Sequence, residues 1–327
     1  MTRYIIRRLL WALVLFVVVT FISYVIFFLI PADPVKLFAG RQATAEDLAR
    51  AARYYGLDQP FYVQYWKFLS RLVSNGILGQ KALGFSFANR QWISHVVKDR
   101  APVTASLVFG GAVFWMILAV PIGILSALRP RSLMDRGATI FVLIGISAHP
   151  VFLALIFLYI FGYKLHMFPI GSYADFINPP VGQPGGPIQW AWHMFLPWCT
   201  FAILFAALYV RMIRASVIET MNEDYVRTAR AKGAPEWVVM RSHILRNALL
   251  PIATMLGMDI ALGLGGAVFT ESVYGLPGLG QAAIQSLEAF DFPVTMGVVV
   301  FATTAVLIVN VVVDVFYAVI DPRIKLA

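Results

Sequence analysis

A single cysteine, Cys199, stands among 327 residues, so the chain can form no internal disulfide and no cysteine-based metal cluster. Charge is scarce as well: Asp, Glu, Lys and Arg make up 13%, where a soluble globular domain carries about 25%. No stretch reads G-x-x-x-x-G-K-[ST], so the chain lacks the phosphate-cradling loop of an ATP-hydrolysing subunit. H-E-x-x-H is missing too, and His95, His149, His166, His193 and His243 are scattered without ligand spacing, which leaves no metal site. Without G-x-S-x-G a membrane hydrolase is poorly supported. An ion-coupled secondary carrier would be expected to show an internal repeat and several titratable residues at the midplane, and neither is found.

What the sequence does hold is apolar surface: 60% hydrophobic residues and a mean hydropathy of +0.76 place it among integral membrane proteins. The 24 residues from Leu9 to Ala32 carry no charge, enough at about 1.5 Å each to cross a hydrocarbon core of about 30 Å. Arg3, Arg7 and Arg8 precede this run and Asp33-Pro34 follows it, which reads as a retained signal anchor. Five more spans are predicted at Ala101 to Leu128, Gly137 to Tyr163, Ala191 to Val210, Leu249 to Thr270 and Pro293 to Ile320. The expectation is an all-α membrane protein of six transmembrane helices. Residues 1–32 form the tail and first span, 33–100 a small extracytoplasmic insert, and 101–327 the remaining five spans. Within the insert a helix is predicted from Glu46 to Tyr55, stopped by Gly56, ahead of an aromatic stretch from Phe61 to Phe68.

Basic residues set the expected orientation. Three lie before the first span, three in 128–136, seven in 211–247 and two after the last span, while 164–193 holds only Lys164 and 271–292 none. By the positive-inside rule both termini and the 215–250 loop are cytoplasmic; the insert, long enough to escape that rule, is placed outside.

The longest polar segment of the second half runs from Glu223 through Gly233 to Pro251. Asn222 can cap a helix that starts with Glu223 and Asp224 and ends with Arg230 and Lys232, so that both ends suit the helix dipole. Glu223 and Arg227 are spaced to pair at i,i+4. Gly233 stops this helix; Pro235 suits the first position of another, with Trp237, Met240 and Ile244 on one apolar face. Ala229, Ala231, Gly233 and Ala234 leave room for a partner to approach the turn. A basic helix, turn and helix also invites a DNA-binding reading, but spans close on either side make groove docking awkward, and no nucleic-acid partner is expected.

Inside the membrane, Asp259 lies near the middle of the fifth span, where a carboxylate is costly and needs protein or water beside it. A pore-lining role with Gly263 and Gly266, and an interhelix hydrogen bond, are the two readings. Asp314, with Asn310 one turn earlier, is expected to tie helices together near the cytoplasmic face. His149-Pro150 should kink the third span.

Taken together, Asp33-Pro34, Gly56-Leu-Asp-Gln-Pro60, Asp224-Tyr-Val-Arg-Thr-Ala-Arg-Ala-Lys-Gly233, Leu245-Arg-Asn-Ala248, Gly265-Gly-Ala267, Pro277-Gly-Leu-Gly280 and Asp321-Pro-Arg323 carry a resemblance that covers nearly the whole chain. The chain resembles the permease subunits of binding-protein-dependent ABC importers, in their dipeptide/oligopeptide/nickel branch. The resemblance implies the type I importer permease fold and a bacterial or archaeal plasma-membrane location. It implies a second related permease, most often different, two ATPase subunits that carry ATP and Mg, and an extracytoplasmic binding protein, all in membrane lipid. The substrate is expected to be a di- or oligopeptide, with nickel or oligosaccharide cargo as alternatives, and the chain itself is non-catalytic and without cofactor. Asp224, Tyr225, Arg227, Thr228, Ala229, Arg230, Ala231, Lys232 and Gly233 would form the coupling helix that fits the ATPase. At the place of the glutamate that opens the general EAA pattern of this loop stands Arg227, followed by Thr228 and Ala229. Glu271, Tyr274, Pro277 and Gly278 would belong to an external loop that reaches toward the binding protein.

Overall fold

The computed structural model describes residues 2–29, 44–177 and 185–320. Asp33-Pro34, Asp321-Pro-Arg323 and most of the 178–187 connection lie outside the described residues. The chain divides into two compact units, one formed by residues 1–106 with 261–327 and the other by residues 107–260.

In the first unit, α1 (Thr2–Tyr24) continues into a π-helical turn, Val25–Leu29. Helix α2 (Ala45–Tyr55) starts on a reciprocal cap: Asp47 N–H donates to Thr44 Oγ1 and the Thr44 N–H to Asp47 Oδ2, both at 3.2 Å. It stops at Gly56, whose φ of +67° is the left-handed conformation that suits glycine. Pro60 opens α3 (Phe61–Asn75). A two-stranded antiparallel hairpin, β1 (Phe85–Ser86) and β2 (Gln91–Trp92), leads into the long α4 (Ile93–Leu128). The unit is completed by α12 (Val268–Tyr274), α13 (Leu279–Glu288) and α14 (Phe292–Ile320). Its core gathers Tyr24, Phe28, Tyr55, Phe68 and Leu72 with Val97, Val294 and Val298. Asp291, fully buried, fastens the hairpin to the start of α14: Oδ2 accepts from Ser86 Oγ at 2.5 Å and Asn89 Nδ2 at 3.0 Å. Arg8 on α1 pairs with Asp314 on α14 at 3.1 Å, the helix-tying role expected for that aspartate.

The second unit holds the rest of α4, α5 (Leu133–Ser147), α6 (Pro150–Phe157) with a π-helical extension Leu158–Lys164, and the 35-residue α7 (Pro187–Met221). At His149-Pro150 the chain does more than kink. The Val151 N–H donates to His149 Nδ1 at 3.3 Å, Pro150 takes the first helical position, and the two helices meet at 107°. A new helix starts here. Gly145 on α5 meets Ala207 on α7 so closely that an added Cβ would lie 2.6 Å from the alanine methyl, and this fixes the approach of the two helices. After α7 come α8 (Asp224–Ala231), α9 (Glu236–Val238), a π turn Val239–Leu245, α10 (Arg246–Ala248) and α11 (Leu250–Gly266).

Among the described residues four helices are long and apolar enough to cross a membrane, and six crossings result if each of two bent pairs is one span. The protein is therefore a predominantly helical, multi-pass membrane protein.

Candidate functional site

Residues 222–248 form a helical elbow with two anchored faces. Val226 is fully buried and Ala229 nearly so, and these two pin α8 down. Asp224, Tyr225, Arg227, Thr228, Arg230, Ala231, Lys232 and Gly233 all remain exposed. Of the nine residues the sequence nominates, eight thus share the outward surface and Ala229 anchors it. Gly233 has φ +78°, and no heavy atom lies within 4 Å of where its Cβ would be. Across that turn Arg230 grips Glu236 with two hydrogen bonds, Nη2 to Oε1 at 2.6 Å and Nε to Oε2 at 3.2 Å. The pairing lowers the Glu236 pKa and raises that of Arg230. Asn247 Nδ2 donates to the Tyr225 hydroxyl at 3.1 Å, and Ser216 Oγ on α7 donates to the Ala248 carbonyl at 2.8 Å. The elbow is closed at its tip and tied at its base.

Three details differ from expectation. Asn222 ends α7 with φ −92° and ψ −3°, and Glu223 is the N-cap of α8. Arg227 faces Asp224 at 3.6 Å, both exposed, in place of Glu223. Pro235 caps the second helix from just outside it, and the buried face of that helix is Val239, Ile244 and Ala248, while Trp237 is 69% exposed. The π turn accounts for the last point, because it spaces Val239 and Ile244 five apart where an α-helix would favour three or four.

A second constellation binds α4, α5 and α7. Arg214 on α7 donates to both oxygens of Asp135, Nε to Oδ1 at 2.7 Å and Nη2 to Oδ2 at 3.0 Å. Ser126 Oγ on α4 adds a bond to Oδ1 at 2.5 Å, and the Arg131 N–H one to Oδ2 at 2.9 Å. Sequence reasoning missed this cluster. Its legible trace is Ser132-Leu-Met-Asp135, a capping pattern: the Asp135 N–H donates to Ser132 Oγ at 3.2 Å.

On α11, Asp259, Gly263 and Gly266 recur at i, i+4 and i+7 and share one helix face. Asp259 is half-buried, and its Oδ2 accepts from the fully buried Tyr209 hydroxyl at 2.7 Å. The interhelix hydrogen bond considered for this residue is present.

Glu271 on α12 is buried to the last atom. Thr104 Oγ1 donates to its Oε1 at 2.6 Å, the Gln281 N–H to its Oε2 at 3.0 Å, and Thr104 Oγ1 accepts in turn from the Leu279 N–H at 2.8 Å. The carboxylate thus caps the first turn of α13, where the helix dipole favours negative charge. Gly278 lies flat on it, since a Cβ there would stand 2.2 Å from the carboxyl carbon. Tyr274 and Gly278 are buried as well; Pro277 is half-buried, and Ser272 and Gly275 are the exposed residues of the stretch.

Apolar helices and a tied, exposed elbow at the end of the 35-residue α7 define a multi-pass membrane protein. Residues 119–326 match the family described as binding-protein-dependent transport system inner membrane component, and residues 1–108 match the N-terminal region of such membrane components. The chain belongs to this family. It is 37% identical over 331 residues, 99% of each chain, to a Brucella suis biovar 1 (strain 1330) protein whose name describes a peptide permease. It is 35% identical, over 98% of this chain and 97% of the relative, to the "Probable D,D-dipeptide transport system permease protein DdpB" of Escherichia coli (strain K12). Against the "Oligopeptide transport system permease protein AppB" of Bacillus subtilis (strain 168) identity is 33%, over 99% of this chain and all of the relative.

Proposed function

We propose that this subunit forms, with a second related permease, the path by which di- or oligopeptides handed over by an extracytoplasmic binding protein cross a prokaryotic plasma membrane. The names of its relatives support the cargo. In this reading the chain crosses six times with both termini and the elbow on the cytoplasmic side, as its basic loops favour, and separate ATPase subunits, carrying ATP and Mg²⁺, close on the 223–251 segment. The observation that carries the reading is the elbow itself, with Arg227, Thr228, Ala231 and Lys232 outward on a helix pinned by Val226 and Ala229. Bonds from Arg230 to Glu236 and from Ser216 to Ala248 make it stiff enough to pass a rigid-body push to α7 and α11. The subunit itself performs no bond chemistry.

At the opposite face, Glu271 acts inward. It holds the 275–280 turn in shape, and the turn's exposed residues face the binding protein. Asp259, with Gly263 and Gly266, faces the path, where its carboxylate can meet a peptide's ammonium group.

The test is a cysteine cross-link. In a Cys199→Ser background, Thr228→Cys in the assembled transporter should cross-link to the ATPase subunit, and the same cells should take up labelled di- or oligopeptide and not nickel. A cross-link with no peptide uptake would remove the cargo; absence of the ATPase from the purified complex would remove the coupling role.

A further inference from the structure

Helix α3 carries three kinds of surface in three sectors. At 100° per residue, Phe61, Tyr65, Phe68 and Leu72 fall in one sector of roughly 60°, and Tyr62, Leu69, Val73 and Trp66 in the next. Lys67, Ser70, Arg71 and Ser74 share the remainder with Gln64, Asn75 and one apolar residue, the half-buried Val63. The first sector packs inward, with Phe68 and Leu72 almost wholly buried. The second does not: Tyr62, Trp66 and Val73 are 73%, 69% and 75% exposed. In the polar sector the Arg71 guanidinium lies over the Tyr54 and Tyr55 rings at 5.3 and 5.5 Å.

The depth of α3 is fixed by what its inner sector touches. The Tyr65 hydroxyl donates to the Val17 carbonyl at 3.1 Å and lies 3.2 Å from Thr20 Oγ1. Phe21 packs edge-on against Phe61 and Tyr65, with centroids at 5.9 and 5.3 Å. These partners belong to the span Ile5–Phe28. At 1.5 Å per residue Val17 is about 18 Å from Ile5 and about 12 Å from Leu9, where the uncharged run begins, which sets it within the apolar layer. Just past α3, Ile77 lines an apolar groove of about 400 Å³ with Leu13 and Phe16 of α1 and Leu307 and Val311 of α14. Both ends of the segment are therefore set beside membrane-spanning helix, well below its outer end. Phe21, Ile22 and Ile26 of α1 are themselves exposed, so the open face of α3 continues an apolar surface that a span presents to lipid.

We propose that α3 lies embedded in one leaflet, its Tyr62, Trp66, Leu69 and Val73 face against phospholipid acyl chains and its polar sector toward the headgroups. Residues 61–77 are then part of the membrane domain and not a free extramembrane segment. Tryptophan and tyrosine are the side chains that favour this boundary, with an apolar ring body and one polar atom to direct at the headgroups. In the orientation proposed above α3 enters the membrane from the outer side, and only that assignment depends on the transport reading.

Nitroxide labels decide the matter in the assembled transporter, reconstituted in nanodiscs of phosphatidylethanolamine and phosphatidylglycerol. The single native cysteine makes a Cys199→Ser parent convenient. Labels at Tyr62→Cys, Trp66→Cys, Leu69→Cys and Val73→Cys should collide severalfold more with oxygen than with a water-soluble nickel chelate. At Lys67→Cys, Ser70→Cys and Ser74→Cys the ratio should reverse. All of these side chains except the half-buried Leu69 are exposed, so six of the seven labels perturb no packing. High nickel accessibility at Tyr62, Trp66 and Val73 would mean a water-facing or binding-protein surface and overturn the proposal. Low accessibility to both reagents there would mean a protein partner, the second permease above all, and overturn it equally. Neither result bears on cargo or on ATPase docking.

Discussion

Arg214 holds Asp135 by both carboxylate oxygens, at 2.7 and 3.0 Å, and so joins the far end of α7 to the first turn of α5. Ser126 on α4 completes the junction. The helix that leads into the elbow is thereby fastened to two others about two turns before the elbow begins.

Asp135→Asn should destabilise the second unit by about 2 kcal/mol. Removing one member of a fully buried pair costs about 3–5 kcal/mol, and the 36% exposure of the Arg214 side chain reduces this. Arg214→Asp combined with Asp135→Arg should restore part of the loss, since charge complementarity returns while the bonds from Ser126 and the Arg131 N–H do not. Denaturation of the purified complex measures the first loss and compares the double variant with Arg214→Asp and Asp135→Arg alone, and a double variant no better than the sum of those two would deny the pair its role.

At Gly233 two costs can be separated, because φ +78° penalises side chains while the space around the Cβ position is open. Alanine in this conformation costs about 1–2 kcal/mol, and asparagine less. If the turn is only a turn, Gly233→Asn is the milder variant. If a partner closes over it, the bulkier asparagine is the worse, and Gly233→Ala should retain more co-purifying ATPase than Gly233→Asn. Gly233→Val, strained and bulky together, should lose most of it while remaining in the membrane.

The elbow was legible because its signals are local: charges at helix ends, a glycine stop, small residues at the turn. Thr44 and Asp47, or Gly56, announce α2 in the same way. The Asp135 cluster shows where such reasoning stops, for its cap is written in Ser132-x-x-Asp135 but its partner lies 79 residues along and is supplied by packing alone. The Val239–Leu245 π turn defeats periodicity differently, since a 3.6-residue pattern assigns Trp237 to a face that the extra residue rotates into solvent. Resemblance alone assigns Glu271 to an external loop; its burial under Gly278, seven residues along, is supplied by packing.

Asp259 and Tyr209 allow charge to be separated from packing. Asp259→Asn keeps an oxygen to accept the Tyr209 hydroxyl, so stability should stay near that of the parent while peptide uptake falls. Tyr209→Phe removes the hydrogen bond and leaves the carboxylate, costing about 1 kcal/mol with a smaller change in uptake. Uptake and denaturation of the two variants side by side give the comparison. Unchanged uptake in Asp259→Asn would leave the residue a structural one.

Burial raises the pKa of Glu271, against which the bonds from Thr104, Gln281 and Gly280 and the charge of Arg100 pull downward. The native fold therefore binds this proton more tightly than the unfolded chain, whose glutamates titrate at about 4.3. Stability drawn from the neutral acid is complete below that value and declines as pH rises from it toward the raised native pKa. Asp291, raised for the same first cause, adds a slope of the same sign. Glu271→Gln imitates the neutral side chain at every pH, so the parent should gain stability relative to this variant as the medium is acidified from pH 8 to pH 4. Denaturation of both proteins across that range reads the difference, and a parent that loses ground on acidification would mean that the bonds to the ionised carboxylate outweigh its burial.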